Sequence, residues 1–165
     1  TAAAWRVAVE HDGPVALVLT RQGLPVLDAA AHPIADGVPR GAYVLADADD
    51  GAPDLVLIGT GSEVHLALNA RDRLAENGIA ARVVSMPSME RFDAQPDDYR
   101  ESVLPPDVPK LAVEAGITRG WHAYVGDNGA VIGLDRFGLS GPGDDVYAEL
   151  GFTVNHVVDR AQTLL

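Results

Sequence analysis

Residues 54–86 constrain this chain more than any other stretch. Asp54-Leu55-Val56-Leu57-Ile58-Gly59 is almost continuously apolar, the pattern of a strand buried on both faces. Glu63 to Asn77 then places Val64, Ala67, Leu68, Arg71 and Ala75 on one helical face, with Gly78 as the stop. Ala81-Arg82-Val83-Val84-Ser85-Met86 follows as a second apolar strand. Strand, helix and strand in this order put both strands parallel in one sheet, with the helix packed on its face. The expected fold class is α/β: a mostly parallel mixed sheet with helices on both faces.

The flanking segments extend this unit. Ala42-Tyr43-Val44-Leu45 is a short strand, closed by the polar turn Asp47 to Gly51. A short helix is expected near Asp97–Val103, then the Pro105-Pro106 break and the strand Lys110-Leu111-Ala112-Val113-Glu114. Ala130-Val131-Ile132-Gly133 is one more short strand. Thr153 caps a last helix in which Val154, Val157, Val158, Ala161, Leu164 and Leu165 repeat at helical spacing. Toward the start, Thr1 to Glu10 reads as the end of a helix. Asp12-Gly13-Pro14 turns the chain into Val15–Leu19, a buried-strand pattern that ends on Thr20-Arg21-Gln22. Gly23 to Gly41 holds Pro25, Pro33, Pro39 and Gly37 without periodicity, and irregular stretches of that length are uncommon inside a compact domain. Three parts are therefore expected: a helix and strand closing another α/β domain (1–22), an interdomain linker (23–41) docked by Val26, Leu27 and Ile34, and a complete α/β domain (42–165).

Composition narrows the function. Hydrophobic residues make up 47% of the 165, enough for a packed core. The formal net charge of −12 argues against nucleic acid or an anionic membrane as partner. With no cysteine, disulfides, thiolate metal sites and cysteine nucleophiles are excluded. No run approaches the ~20 apolar residues of a membrane span, and no basic-then-apolar signal segment opens the chain. The cytoplasm is the default expectation.

Two places carry candidate chemistry. Arg21 ends a strand pattern, and ligands of open α/β sheets bind beyond the carboxyl ends of strands. Its guanidinium is a planar fork suited to a phosphate or carboxylate, or else to an ion pair that anchors the linker. Gly59-Thr60-Gly61-Ser62-Glu63 lies between strand and helix, where a dinucleotide fingerprint would sit. The third glycine position is Val64, and Ser85 and Met86 stand where an acidic residue is needed. A capping box of Thr60 with Glu63 explains the turn, with an anion on the helix N-terminus as the alternative. Glu114 ends a strand and either lines a crevice or pairs with an arginine such as Arg119. His11, His32, His65, His122 and His156 show no metal-ligand spacing, and Ser62, Ser85, Ser88 and Ser140 have no nucleophile-elbow context.

Several motifs stand in register. Leu17-Val18-Leu19-Thr20-Arg21-Gln22, Ile58-Gly59-Thr60-Gly61-Ser62-Glu63-Val64, Arg82-Val83-Val84-Ser85-Met86-Pro87-Ser88, Glu101-Ser102-Val103-Leu104-Pro105, Ala112-Val113-Glu114-Ala115-Gly116 and Phe137-Gly138 together resemble the C-terminal third of transketolases. Ser140-Gly141-Pro142 departs slightly from the Ser-Ala-Pro usual in that family. The resemblance implies that 1–22 closes a pyrimidine-binding domain and that 42–165 is the C-terminal domain of a homodimeric enzyme. It implies transfer of a two-carbon ketol unit from a ketose phosphate to an aldose phosphate in the pentose phosphate pathway. Thiamine diphosphate and a divalent cation (Mg²⁺ or Ca²⁺) serve that reaction in the full-length enzyme, where the cofactor supplies the carbanion chemistry. Arg21 matches the arginine that holds the substrate phosphate. No residue here matches a catalytic, cofactor or metal position, so the segment alone is expected to be inactive. Dihydroxyacetone synthase shares this end region, and a free-standing nucleotide-binding module is a further alternative.

Overall fold

The computed structural model describes residues 1–49 and 51–165. Asp50, within the expected turn Asp47 to Gly51, lies outside the described residues. The helices are α1 (Ala2–Glu10), α2 (Ile34–Gly37), α3 (Glu63–Glu76), α4 (Met89–Asp93), α5 (Asp97–Val103), α6 (His122–Val125), α7 (Gly143–Glu149) and α8 (Val154–Gln162). The strands are β1 (Tyr43–Ala46), β2 (Leu55–Gly59), β3 (Ala81–Ser85), β4 (Lys110–Val113) and β5 (Ala130–Ile132). They form one sheet in the order β1-β3-β2-β4-β5. β1 runs antiparallel to β3, and the other three pairs are parallel. The expected α/β class holds, with β1 as the antiparallel edge.

β2 sits at the centre because its sequence can be buried on both sides. Leu57 pairs with Val83 of β3 and with Leu111 of β4. The two-residue period of the strand then separates two cores. Leu55 and Leu57 join Ala67, Ala70, Leu74, Val157 and Ala161 of α3 and α8 on one face. Val56 and Ile58 join Phe92, Val103, Trp121 and Val125 on the other, where α4, α5 and α6 pack.

The helix boundaries follow local chemistry. Gly78 at φ +75° terminates α3, since a left-handed residue there carries no Cβ penalty. Thr153 caps α8 by accepting from the His156 backbone N–H at 3.2 Å. The buried stripe of α3 is Val64, Ala67, Ala70 and Leu74. It is rotated from the expected one: Ala75 is exposed, and Arg71 is half-buried, donating from Nη2 to the Asp47 carbonyl at 2.8 Å. The cause is α8, whose apolar face draws the Ala70–Leu74 side of α3 inward. Leu165 likewise stays 59% exposed, beyond the last turn of α8.

Two expectations near the start fail. Val15–Leu19 is not a strand, and Val18 is 94% exposed. A parallel strand needs neighbours on its edges and layers on its faces, and none of the described residues supplies them. Val26 does not dock, being 97% exposed, whereas Leu27 and Ile34 pack on the core. The segment expected to be irregular also ends in α2 and a 3-10 turn, Val38–Arg40, which lead directly into β1. No helix of the described residues is long and apolar enough to cross a membrane.

Candidate functional site

The carboxyl end of β2 opens into the turn Gly59-Thr60-Gly61-Ser62-Glu63. Gly61 takes φ +55°, and an ideal Cβ on Gly59 would lie 3.0 Å from the Val64 backbone. Both glycines are therefore demanded by the tight entry into α3. The Glu63 N–H donates to the Thr60 carbonyl at 3.1 Å, a backbone bond. The expected capping box of Thr60 with Glu63 does not form. Ser62 holds the N-cap position in a helical conformation without a side-chain cap bond, and the Glu63 carboxylate is turned elsewhere.

It is turned inward. Glu63 is 5% exposed, and its Oε1 accepts from the Tyr147 hydroxyl at 2.5 Å and from Ser62 Oγ at 2.7 Å. A buried carboxylate requires such donors, and the positive end of the α3 dipole adds to them. Tyr147 comes from α7, with its ring centroid 5.5 Å from that of Phe152. Burial, then the bond to Glu63, push the Tyr147 pKa above its usual value; Ser62 and the Gln22 side chain pull it back. Glu63, the first residue of α3, thus puts a buried carboxylate beside the helix start, and Val64 fills the third glycine position at 6% exposure. Neither feature suits a nucleotide diphosphate.

Thr20 lies beside this turn, where an ideal Cβ on Gly61 would meet its Cγ2 at 3.9 Å. Arg21 itself is exposed and forms no ion pair or hydrogen bond with any of the described residues. The linker-anchoring ion pair is not made.

The other candidates resolve into structural roles. Glu114 accepts from the Trp121 indole N–H rather than from Arg119. His32 Nδ1 contacts the Leu45 carbonyl at 2.9 Å, and His156 Nδ1 the Gly151 carbonyl at 2.8 Å. Among the described residues no group of three or more His, Asp and Glu could hold a metal ion. A cleft of about 690 Å³ lies by Lys110, at the amino end of β4, away from the carboxyl edge where α/β sheets take ligands. Sequence spacing could not reveal Glu63, Ser62 and Tyr147 as a cluster, because 84 residues separate Glu63 from Tyr147.

The sheet order β1-β3-β2-β4-β5, with its antiparallel edge and helices on both faces, defines a mixed α/β domain. A family model for the transketolase-like TK C-terminal domain matches residues 41–153, and the chain belongs to that family. Transketolase of Geobacillus stearothermophilus is 54% identical over 167 residues, covering 100% of this chain and 25% of that protein. Transketolase of Bacillus subtilis is 50% identical with the same coverage. The chain thus spans about a quarter of the length of these curated relatives. Among solved structures, transketolase of Campylobacter jejuni superposes at TM-score 0.82 and 32% identity, over 98% of this chain and 24% of that one. Transketolase of Pichia stipitis in complex with sedoheptulose-7-phosphate superposes at 0.73 and 38% identity, over 79% and 18%.

Proposed function

We propose that the chain is the C-terminal part of a transketolase, which transfers a two-carbon ketol unit from a ketose phosphate to an aldose phosphate in the pentose phosphate pathway. Arg21 is its substrate contact. The observation that carries this reading is the placement of Arg21. It stands exposed and unpaired at the carboxyl edge of the sheet, in a Thr-Arg-Gln motif of a chain that aligns throughout with transketolases. A guanidinium in water binds a phosphate dianion through paired N–H donors, and each charge-assisted bond favours the phosphorylated sugar over its neutral counterpart.

The residues present do not fit thiamine diphosphate or its divalent cation. The glycine turn Gly59–Glu63 carries the buried Glu63 carboxylate, which repels a diphosphate. The cofactor, its Mg²⁺ or Ca²⁺ and the catalytic groups belong to parts of the enzyme outside these residues. The chain's own chemistry is phosphate capture and support. In this reading 1–22 closes the pyrimidine-binding domain, 23–41 links, and 42–165 is the C-terminal domain. The exposed apolar groups Trp5, Val9 and Val18 suit burial against the rest of the chain, and the enzyme is a cytoplasmic homodimer.

Ketol transfer by the full-length enzyme tests the proposal. With a ketose phosphate as donor, ribose 5-phosphate is expected to serve as acceptor. Transfer to formaldehyde but not to ribose 5-phosphate would instead mark a dihydroxyacetone synthase.

A further inference from the structure

We propose that Lys110 is a site of imine formation: its side-chain amine, set in the cleft lined by α4, α5 and α6, condenses with the carbonyl carbon of a small, uncharged hydroxyaldehyde. The site lies at the amino end of β4, apart from the carboxyl edge of the sheet. It does not depend on the role of Arg21.

Lys110 is the only lysine of the chain, and it is 6% exposed. A buried ammonium is ordinarily paired with a carboxylate. Lys110 forms no ion pair with any of the described residues. The loop before β4 offers it carbonyls instead: Nζ donates to Val108 at 2.8 Å and to Pro106 at 3.5 Å. An ammonium carries three protons. The third has no acceptor among the described residues, so the amine loses it without giving up a hydrogen bond, and the lone pair stands at that free position. Burial pushes the amine below its usual 10.5, and the nearby Asp107 carboxylate offsets part of this. A desolvated amine is the activated form of a lysine nucleophile.

The cleft sets the class of carbonyl compound. Its volume of about 690 Å³ admits a small organic ligand. Asp93, Asp97, Glu101 and Asp127 line it against a single arginine, Arg100. Asp97 accepts from Arg100 Nη2, and Asp93 accepts from the Tyr124 hydroxyl at 3.0 Å. The Glu101 and Asp127 carboxylates form no ion pair or hydrogen bond with the described residues, which leaves them to accept from ligand hydroxyls. The surplus of negative charge repels a phosphate or carboxylate and leaves a neutral, hydroxylated aldehyde as the fitting electrophile. The step balances without an oxidant or reductant. The nitrogen lone pair forms the C–N bond as the carbonyl π pair moves to oxygen, which takes up a proton while the nitrogen gives one to water. The protonated hydroxyl then leaves as water, and the nitrogen lone pair completes the C=N bond.

The test treats the full-length enzyme with glycolaldehyde, traps the imine with cyanoborohydride as a stable amine, and reads each lysine by peptide mass spectrometry. At pH 7 Lys110 should be modified at least about threefold faster than the exposed lysines, because more of it is neutral. Unfolding the enzyme in guanidinium chloride should erase that advantage. Glycolaldehyde phosphate should modify Lys110 at least about threefold more slowly than glycolaldehyde does, each rate taken relative to the exposed lysines. Asp127→Asn combined with Glu101→Gln should narrow that gap and leave the other lysines unchanged. Lys110 modified no faster than the exposed lysines, or equally fast after unfolding, would overturn the site. Equal rates with the two aldehydes, or a gap untouched by the double substitution, would overturn the ligand class and the proposal with it. Either failure would leave the role of Arg21 intact.

Discussion

Asp47→Ala probes the most buried ion pair among the described residues. Arg82 lies in β3, between β1 and β2, and is 7% exposed. Its Nε donates to Asp47 Oδ1 at 2.7 Å, its Nη2 to Oδ2 at 3.0 Å, and its Nη1 to the Ser102 carbonyl at 2.7 Å. The fork thus ties the β1–β2 connection to the carboxyl end of α5. Deleting the carboxylate strands two donors of a buried cation, leaving Nη2 only a 3.5 Å approach to the Gly51 carbonyl. Breaking a buried pair from one side costs about 3–5 kcal/mol. The Asp47 side chain is 41% exposed, so water reaches part of the vacated space and the low end, ~3 kcal/mol, is expected. At about 2–4 °C per kcal/mol for a chain of this size, the midpoint of thermal unfolding should fall by roughly 6–12 °C. Arg82→Met removes the charge itself, fills the slot with apolar atoms and leaves Asp47 to solvent, so it should cost only about 1 kcal/mol. Glu10→Ala is the control, because Arg6 and Glu10 are 63% and 65% exposed and such pairs contribute at most ~1 kcal/mol. Urea unfolding followed by circular dichroism measures all three. An Asp47→Ala loss below about 1 kcal/mol, or a larger loss from Arg82→Met, would refute the assignment of the cost to an orphaned buried charge.

Two pH effects follow from other side chains. Burial, then its hydrogen bonds to Asp93, push the Tyr124 hydroxyl from 10.0 to about 12. The folded chain keeps that proton where the unfolded chain releases it, so this stability is present below pH 10 and is lost as pH rises from 10 to about 12. Tyrosinate absorbance should show a late-titrating group that Tyr124→Phe abolishes; an unchanged titration would exclude the assignment. The backbone N–H and then the hydroxyl of Thr118 hold the Asp135 carboxyl below its usual 3.8. Its contribution is present above that value and is lost as pH falls through the lowered pKa. Carboxyl NMR titration should find the Asp135 pKa partly restored in Thr118→Val, and no movement would contradict the hydroxyl's part.

The centre of the fold is legible in the sequence because its periodicities are long and unbroken. The β2–α3–β3 run, the Gly78 stop and the Thr153 cap each rest on interactions within a few residues. The inward stripe of α3 is not, since the helix pattern points toward Leu68 and Ala75 and does not contain the position of α8. α4 and α7, at five and seven residues, are too short to show a period, although the Ser88 side chain caps α4 by accepting from the Arg91 N–H. Val15–Leu19 has the composition of a strand, but composition cannot supply a neighbour to pair with. Arg21 is singled out in the sequence by its strand-like end and its motif, and its phosphate role is the proposal tested below. The buried cluster at the start of α3 is not legible, because Glu63 and Tyr147 meet across 84 residues, and a buried glutamate at a helix start looks like an ordinary cap until its donors are seen.

The central claim of the proposed function is that this chain contributes Arg21 to the binding of a sugar phosphate. The most direct measurement is the ratio of kcat/KM for ribose 5-phosphate to that for unphosphorylated ribose, in the full-length enzyme and in Arg21→Ala. Hydrogen bonds to a charged group are worth about 1.5–3 kcal/mol, so the ratio should fall roughly 10- to 100-fold, with the unphosphorylated acceptor nearly unaffected. An equal loss on both acceptors would contradict the claim and make Arg21 a structural residue.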